Sequence, residues 1–433
     1  MSDPEDERLR GRRAFLTRAA TVAAMAGSGA AAGIGPRAAA AIQVRDEAEP
    51  FWGVHQAGIA TPPQRQVYFA AFDLTATQRD EVAELLRAWT GAAAKLTAGQ
   101  TAEPLPEQPV GAPDAGTAAP DSGEALGLSP ARLTVTFGFG AGLFSKDGID
   151  RYGLGSRRPE ALVDLPRFPG DQMVADRTGG DLSVQACADD PQVAFHAVRQ
   201  LARIAGETAQ LRWVQSGFLP VSGAGQTPRN LMGFKDGTNN VSCSDSQGLA
   251  RFVWVGSEGP DWMRGGSYLV ARRVRIALEH WDRMKLAFQE QTVGRHKDSG
   301  APLGKGGEFV PVDLQATDQD GNPVIAENAH VRLAAAATTD GAQILRRGYS
   351  YNDGVNFTAE RWPPWRQGME YDAGLFFLAY QRDPRTGFIR LFEKMSRFDM
   401  LNQFVTHVGG GLFACPAGAQ QGRFIGQGLF ESA

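Results

Sequence analysis

Three short stretches of the chain carry side chains that could cleave a peroxide bond at iron. Gly233-Phe234-Lys235-Asp236-Gly237 sets an acid between glycines. Asn328-Ala329-His330-Val331-Arg332 holds a histidine, and Ile344-Leu345-Arg346-Arg347-Gly348-Tyr349-Ser350-Tyr351 holds paired arginines. A neutral imidazole can be the fifth ligand of a haem iron. Its second nitrogen normally donates to a carboxylate or carbonyl, which makes it a stronger ligand. A carboxylate in a dry pocket can take a proton from one peroxide oxygen and return it to the other. A guanidinium stays ionised and can stabilise charge on the departing oxygen. An acid, a histidine and an arginine in this order are the parts of a peroxide-cleaving haem site.

Singly, each part has an ordinary explanation. Asp236-Gly237 is a common turn dipeptide, and an arginine pair on a strand is usually solvated. His330 is one of six histidines, with His55, His196, His280, His296 and His407, and His196 falls within an amphipathic helix. A carboxylate with its reference pKa of about 3.9 predicts an acidic working range for Asp236 unless burial raises it. Gly233 and Gly237 allow a tight turn and a close approach of backbone to a planar ligand.

The elements that must position these residues follow from periodicity. Residues 65–74 read as a strand. Thr77-Gln78-Arg79-Asp80 resembles a capping box before Val82, Leu85, Leu86 and Trp89 at helical spacing. Residues 97–130 are rich in Pro, Ala, Gly and acids and read as a flexible insertion. Leu133, Val135, Phe137 and Phe139 alternate as a half-buried strand, and Leu182, Val184 and Ala186 form another. Asp190-Pro191 starts a helix with Ala194, Ala197, Val198, Leu201 and Ala205 on one face. Strand, helix, strand, strand, helix fits a ferredoxin-like unit. A second series has a strand through Tyr268, Val270, Val274 and Ile276, then a helix from Trp281 to Gln291. A strand from Leu375 to Tyr380 follows, with a helix carrying Phe398, Leu401, Phe404, Val405 and Val408 before a short strand at Leu412-Phe413. The predicted class is α+β, with two such units side by side, antiparallel sheets and peripheral helices.

Of 433 residues, 42% are hydrophobic and 21% charged, as in a soluble globular protein, and a net charge of −4 gives no reason to expect a nucleic-acid partner. Cys187, Cys243 and Cys415 form no C-x-x-C or C-x-x-C-H, so neither a zinc ribbon nor covalent haem attachment is indicated. One disulfide and three buried thiols both remain open. Arg12-Arg13 with Phe15-Leu16 precedes an alanine-rich run from Ala19 to Ile34 and a small-residue stretch, Ala38-Ala39-Ala40. This is the layout of a twin-arginine signal peptide, so residues 1–45 read as signal and linker, and the protein as exported to the periplasm or beyond.

Four motifs in sequence resemble the dye-decolorizing (DyP-type) haem peroxidases, above all their secreted bacterial branch, which includes the deferrochelatase/peroxidase of ferrous-iron uptake systems. They are Gly233 to Asn239, Ala329 to Arg332, Leu345 to Tyr351 and Gly374 to Tyr380, and the likeness runs from about residue 60 to the end. The resemblance implies two ferredoxin-like domains, residues 51–225 and 226–433, with one non-covalent haem b held mainly by the second. It makes His330 the proximal iron ligand, Asp236 the distal acid–base residue and Arg346 the distal arginine. Leu375 and Phe377 fall on a strand facing the distal side, Arg295 in a propionate-binding stretch, and Asp399 becomes the acceptor for the second nitrogen of His330. Expected partners are hydrogen peroxide, reducing substrates, permease components of an iron-uptake system and a further copy of the chain. The implied activity is one-electron oxidation of dyes or other bulky donors. The alternative is release of iron from haem.

Overall fold

A computed structural model describes residues 48–104, 119–221, 223, 225–359 and 367–431. The signal-like segment and the centre of the low-complexity stretch, residues 105–118, lie outside them.

The first unit runs β1 (Gln66–Leu74), α1 (Arg79–Thr97), β2 (Thr134–Gly140), β3 (Leu182–Ala188), α2 (Pro191–Ala205) and β4 (Ala209–Phe218). Its sheet has the order β2-β3-β1-β4, antiparallel throughout, which is the ferredoxin-like arrangement. The second unit starts with β5 (Ser267–Ile276) and two short helices, α3 (Leu278–Asp282) and α4 (Leu286–Val293). A long excursion then carries α5 (His330–Leu333) to β6 (Leu345–Arg346) and β7 (Tyr349–Ala359). Next come β8 (Gln367–Gln381), α6 (Arg390–Phe398) and β9 (Val405–Cys415). The sheet order β9-β5-β8-β7 repeats that of the first unit.

The two sheets also join. β2 pairs with β9 at Phe139↔Ala414 and Gly140↔Phe413, and β4 pairs with β7 at Phe218↔Ser350. Eight strands therefore close into a ring, and the described residues form one compact unit. The inward faces share one core. Phe69 of β1 packs on Phe376 of β8 at 5.5 Å and on Phe413 of β9 at 5.9 Å between ring centroids. The outward face of the first sheet is covered by α1 and α2, where the buried indole of Trp89 donates to Leu201 O at 2.7 Å. The corresponding face of the second sheet is hollow.

Several sequence expectations need correction. β2 is buried at every position, not half-buried, because helices cover one face and the second sheet the other. The acid that caps α1 is Glu81, whose Oε2 accepts from the backbone N–H groups of Thr77 and Gln78 at 2.9 Å each; it sits one turn in, where Asp80 cannot reach back. The expected helix from Trp281 is two short helices. The helix expected to reach Val408 ends at Phe398, which is 60% exposed. Val405 and Val408 lie in β9, because Asp399 turns the chain and the long strand β5 pairs with the residues beyond it. The described flanks of the insertion are anchored rather than loose, since buried Asp121 accepts from Ala102 N at 2.9 Å and Arg203 reaches the carbonyl of Ala119. All three cysteines are free thiols, with Cys187 and Cys415 buried in the inter-sheet core.

Candidate active site

The hollow on the outer face of the second sheet is a cavity of about 320 Å³. Val274 and Ile276 of β5 with Leu375 and Phe377 of β8 form its floor. These residues alternate with inward-facing neighbours such as Phe376 and Leu378, as the pleat requires. His330, Asp236, Arg346, Arg295 and Asp399 all line the same cavity. The structure thus brings together every residue expected from the sequence.

His330 opens α5, the single helical turn at the end of the long excursion. Its Nδ1 lies 2.7 Å from Asp399 Oδ2. Asp399 is buried at the end of α6, and its other oxygen accepts from Leu401 N at 2.8 Å, so the carboxylate is fixed by both oxygens. The imidazole is 32% accessible, and that accessible part faces the cavity. Burial opposes charge on His330. The charge of Asp399 and its hydrogen bond outweigh that, and the pKa is raised; Arg346 works against the rise and Asp236 adds to it. The surroundings of the ring therefore favour its protonated form on balance.

Asp236 sits on a tight loop. Gly233 adopts φ +84° and Gly237 φ +120°, conformations open to glycine at little cost. Asn230 Oδ1 accepts from Met232 N and Phe234 N, and the Asp236 N–H donates to Pro228 O at 2.8 Å. Together these bonds close the turn that presents the carboxylate. On one side of Asp236, Lys235 pairs with Glu308; on the other, Thr238 Oγ1 donates to Glu308 Oε1 at 3.0 Å. Burial pushes the Glu308 carboxyl up, but hydrogen bonds from Lys235, Thr227 and Thr238 hold it below the usual range.

Arg346 reaches Asp236 from β6, with Nη1 to Oδ1 at 3.0 Å. Its backbone is clamped by Asn240, which accepts from Arg346 N at 2.9 Å and donates to Arg346 O at 2.8 Å. The neighbouring Arg347 points the other way, into the inter-sheet core, where it donates to Thr61 O and Gln64 Oε1. Strand alternation thus separates two arginines that look equivalent in sequence. Arg295 follows α4 and is buried, with Nη1 donating to Gly300 O at 2.7 Å and Glu308 O at 3.0 Å. Burial lowers its pKa, Glu308 raises it, and Arg346 lowers it again.

Sequence reasoning missed Asn240, Glu308 and His407. Asn240 and Glu308 act across long separations, which no local pattern reveals. His407 lines the cavity because β9 is irregular: Arg273 pairs with Gly409 but Val274 pairs with His407. The extra residue, Val408, rotates His407 onto the cavity face.

The donor set suits a haem. An imidazole backed by a carboxylate is a strong iron ligand, the sheet floor is apolar, and Arg295 supplies a buried cation for a carboxylate. Among the described residues no cluster of His, Cys, Asp or Glu could hold a bare metal ion instead. A pair of ferredoxin-like units with this pocket fits a haem-binding protein. Residues 56–219 match "Dyp-type peroxidase, N-terminal" and residues 227–420 match "Dyp-type peroxidase, C-terminal". The chain belongs to the Dyp-type peroxidase family. It is 38% identical to a dye-decolorizing peroxidase of Thermobifida fusca, over 100% of both chains. It is 34% identical to the deferrochelatase of Escherichia coli K12, over 89% of this chain and 88% of that one. Among solved structures it resembles DtpA from Streptomyces lividans, at 40% identity and TM-score 0.78, covering 90% of this chain and 99% of that one. A DyP-type peroxidase from Streptomyces coelicolor gives 41% identity and TM-score 0.78, covering 90% and 98%. The protein is accordingly a haem-dependent enzyme that reduces hydrogen peroxide and oxidises electron donors.

Proposed function

We propose that His330 holds the iron of one non-covalent haem b per chain, oriented by Asp399, and that Asp236 and Arg346 manage the peroxide. The observation that carries this reading is the pair of contacts in one cavity: His330 Nδ1 to Asp399 at 2.7 Å, and Arg346 Nη1 to Asp236 at 3.0 Å. Bound haem supplies the redox-active iron at which peroxide is reduced. Asp236 takes the proton from the near peroxide oxygen and delivers it to the far one, so that water can leave. Arg346 stabilises negative charge on that departing oxygen and holds Asp236 in place. Arg295 neutralises a carboxylate of the bound group. Leu375 and Phe377 supply an apolar wall that keeps water scarce. The absence of a C-x-x-C-H motif supports non-covalent binding.

Asp236→Ala and Arg346→Ala bind haem normally and react with peroxide about 10²–10⁴-fold more slowly. His330→Ala loses or badly weakens haem binding. If both distal variants reacted with peroxide at the wild-type rate, the roles of Asp236 and Arg346 would be refuted.

Arg12-Arg13 and the alanine-rich run after it support export of the folded protein by the twin-arginine route. A second reading, iron release from haem as part of an uptake system with a membrane permease, is supported by the likeness to the deferrochelatase of Escherichia coli. Iron-free porphyrin after incubation with haem distinguishes it from dye oxidation.

A further inference from the structure

The residues from Lys305 to Val310 are exposed with one exception. Phe309 is 69% exposed, whereas the side chain of Glu308 before it is only 10% accessible. A carboxylate turned inward beside a phenyl ring turned outward inverts the usual order, and such a buried polar group is the informative kind of exception. Burying a carboxylate is costly unless partners meet it. The side-chain partners of Glu308 all come from one loop. Its Oε2 pairs with Lys235 Nζ, its Oε1 accepts from Thr238 Oγ1 at 3.0 Å, and Thr227 adds a third hydrogen bond.

That loop carries Asp236. Its arms meet in a short antiparallel bridge at Arg229 and Lys235, and Arg229 Nη1 donates to Gly233 O at 2.8 Å across the tip. Just past the bridge, the Asp236 N–H donates to Pro228 O at 2.8 Å. Gly237 follows at φ +120°, a conformation that glycine adopts freely and that leaves the direction of the acid soft. The Glu308 carboxylate spans this soft point, with Lys235 on one side and Thr238 on the other. It bonds to the neighbours of Asp236, while Arg346 bonds to the Asp236 carboxylate itself. The backbone of Glu308 also serves the pocket, since its carbonyl accepts from Arg295 Nη1 at 3.0 Å.

We propose that Glu308 is a positioning residue for peroxide cleavage: its carboxylate bridges Lys235 and Thr238 and so fixes the direction in which the loop presents Asp236. The proposal rests on Asp236 as the proton carrier. A misplacement of about 1 Å at a reacting group can cost about 10²-fold in rate, so a brace that never meets peroxide still governs how fast it is cleaved. Arg295 holds the backbone of the same residue, so the two sides of the pocket share one support.

The test is the stopped-flow reaction of the ferric holoenzyme with hydrogen peroxide in Glu308→Ala and Glu308→Gln, each alone and combined with Asp236→Ala. Glu308→Ala should react about 10–100-fold more slowly with an unchanged haem spectrum. Glu308→Gln should recover most of that loss, because the amide oxygen still accepts from Lys235 while the amide nitrogen donates to the Thr238 hydroxyl. Combined with Asp236→Ala, neither change should slow the reaction further, since residues that act through one group are not additive. Hydrogen exchange of the holoenzyme gives a readout independent of turnover: the amides of residues 235–238 should exchange faster in Glu308→Ala. Should Glu308→Ala fail to fold or to take up haem, Thr238→Val, which removes one of the two flanking bonds, is expected to behave in the same way in both backgrounds. A wild-type rate in Glu308→Ala, a glutamine variant as slow as the alanine variant, an equal fold-loss on Asp236→Ala, or unchanged exchange overturns the proposal. Failure of the Asp236 reading looks different, because Asp236→Ala alone would then react at the wild-type rate.

Discussion

Replacing Asp399 by alanine removes two acceptors at once, one 2.7 Å from His330 Nδ1 and one 2.8 Å from Leu401 N. A hydrogen bond to a charged group contributes about 1.5–3 kcal/mol and a capping bond about 1 kcal/mol, so the haem-free variant should lose about 2.5–4 kcal/mol. The loss depends on pH. His330 has a raised pKa in the folded protein, against an ordinary value of about 6.5 in the unfolded chain. Its stabilisation by Asp399 is fully present below the unfolded value and fades as pH rises through the folded one. Urea unfolding of haem-free wild type and Asp399→Ala, at an acidic pH below the unfolded value and at an alkaline pH well above it, should show the larger deficit in acid. Equal deficits at both pH values, or an acid deficit below about 1 kcal/mol, would refute the coupling. In the holoprotein the same change should weaken haem binding about 10–100-fold, by analogy with other ligand-orienting carboxylates.

Three further outcomes are expected. Asn240→Ala frees the backbone of Arg346 on both sides; it should slow the peroxide reaction in stopped-flow measurements while leaving haem binding intact, and an unchanged rate would mean that β8 alone positions Arg346. Gly233→Ala places a Cβ 2.6 Å from Lys297 Cε at φ +84°; a left-handed alanine costs about 1–2 kcal/mol, so a lower melting temperature and a slower peroxide reaction should appear together. His407→Leu should flatten the acid side of the stability curve: with its folded pKa pushed down to about 3, the unfolded chain takes up the proton first. Stability then falls as pH drops from about 6.5 by at most about 1.4 kcal/mol per unit, a slope that guanidinium unfolding in the variant should no longer show.

Most of the two βαββαβ units was legible because its signals are local, but β4 (Ala209–Phe218) and β7 (Tyr349–Ala359) were not read from the sequence. Alternation in β2 and β3, the Asp190-Pro191 start of α2 and the amphipathic spacing of α1 each need only a short window. Asp236, His330 and Arg346 stood out as site candidates because they sit in motifs. What escaped depends on distant partners. Val405 and Val408 suit a helix or a strand, and β5 decides for the strand. The buried second face of β2 is set by a sheet more than a hundred residues away. The choice between Arg346 and Arg347 follows from pleat direction, which the resemblance supplied and periodicity alone did not. Asn240 and Glu308 support the site through bonds whose partners lie far along the chain or across loops without repeating pattern.

The ring of strands has a temporal side. β9 is the last strand among the described residues, yet it sits between β5 and β2 and so completes both halves. Asp399 stands just ahead of it. A nascent polypeptide halted before residue 399 has neither its seam closed nor its histidine backed, however well its amino-terminal portion has formed. A chain truncated there leaves the edges of β5 and β2 that β9 covers unpaired, and open strand edges invite association with other chains.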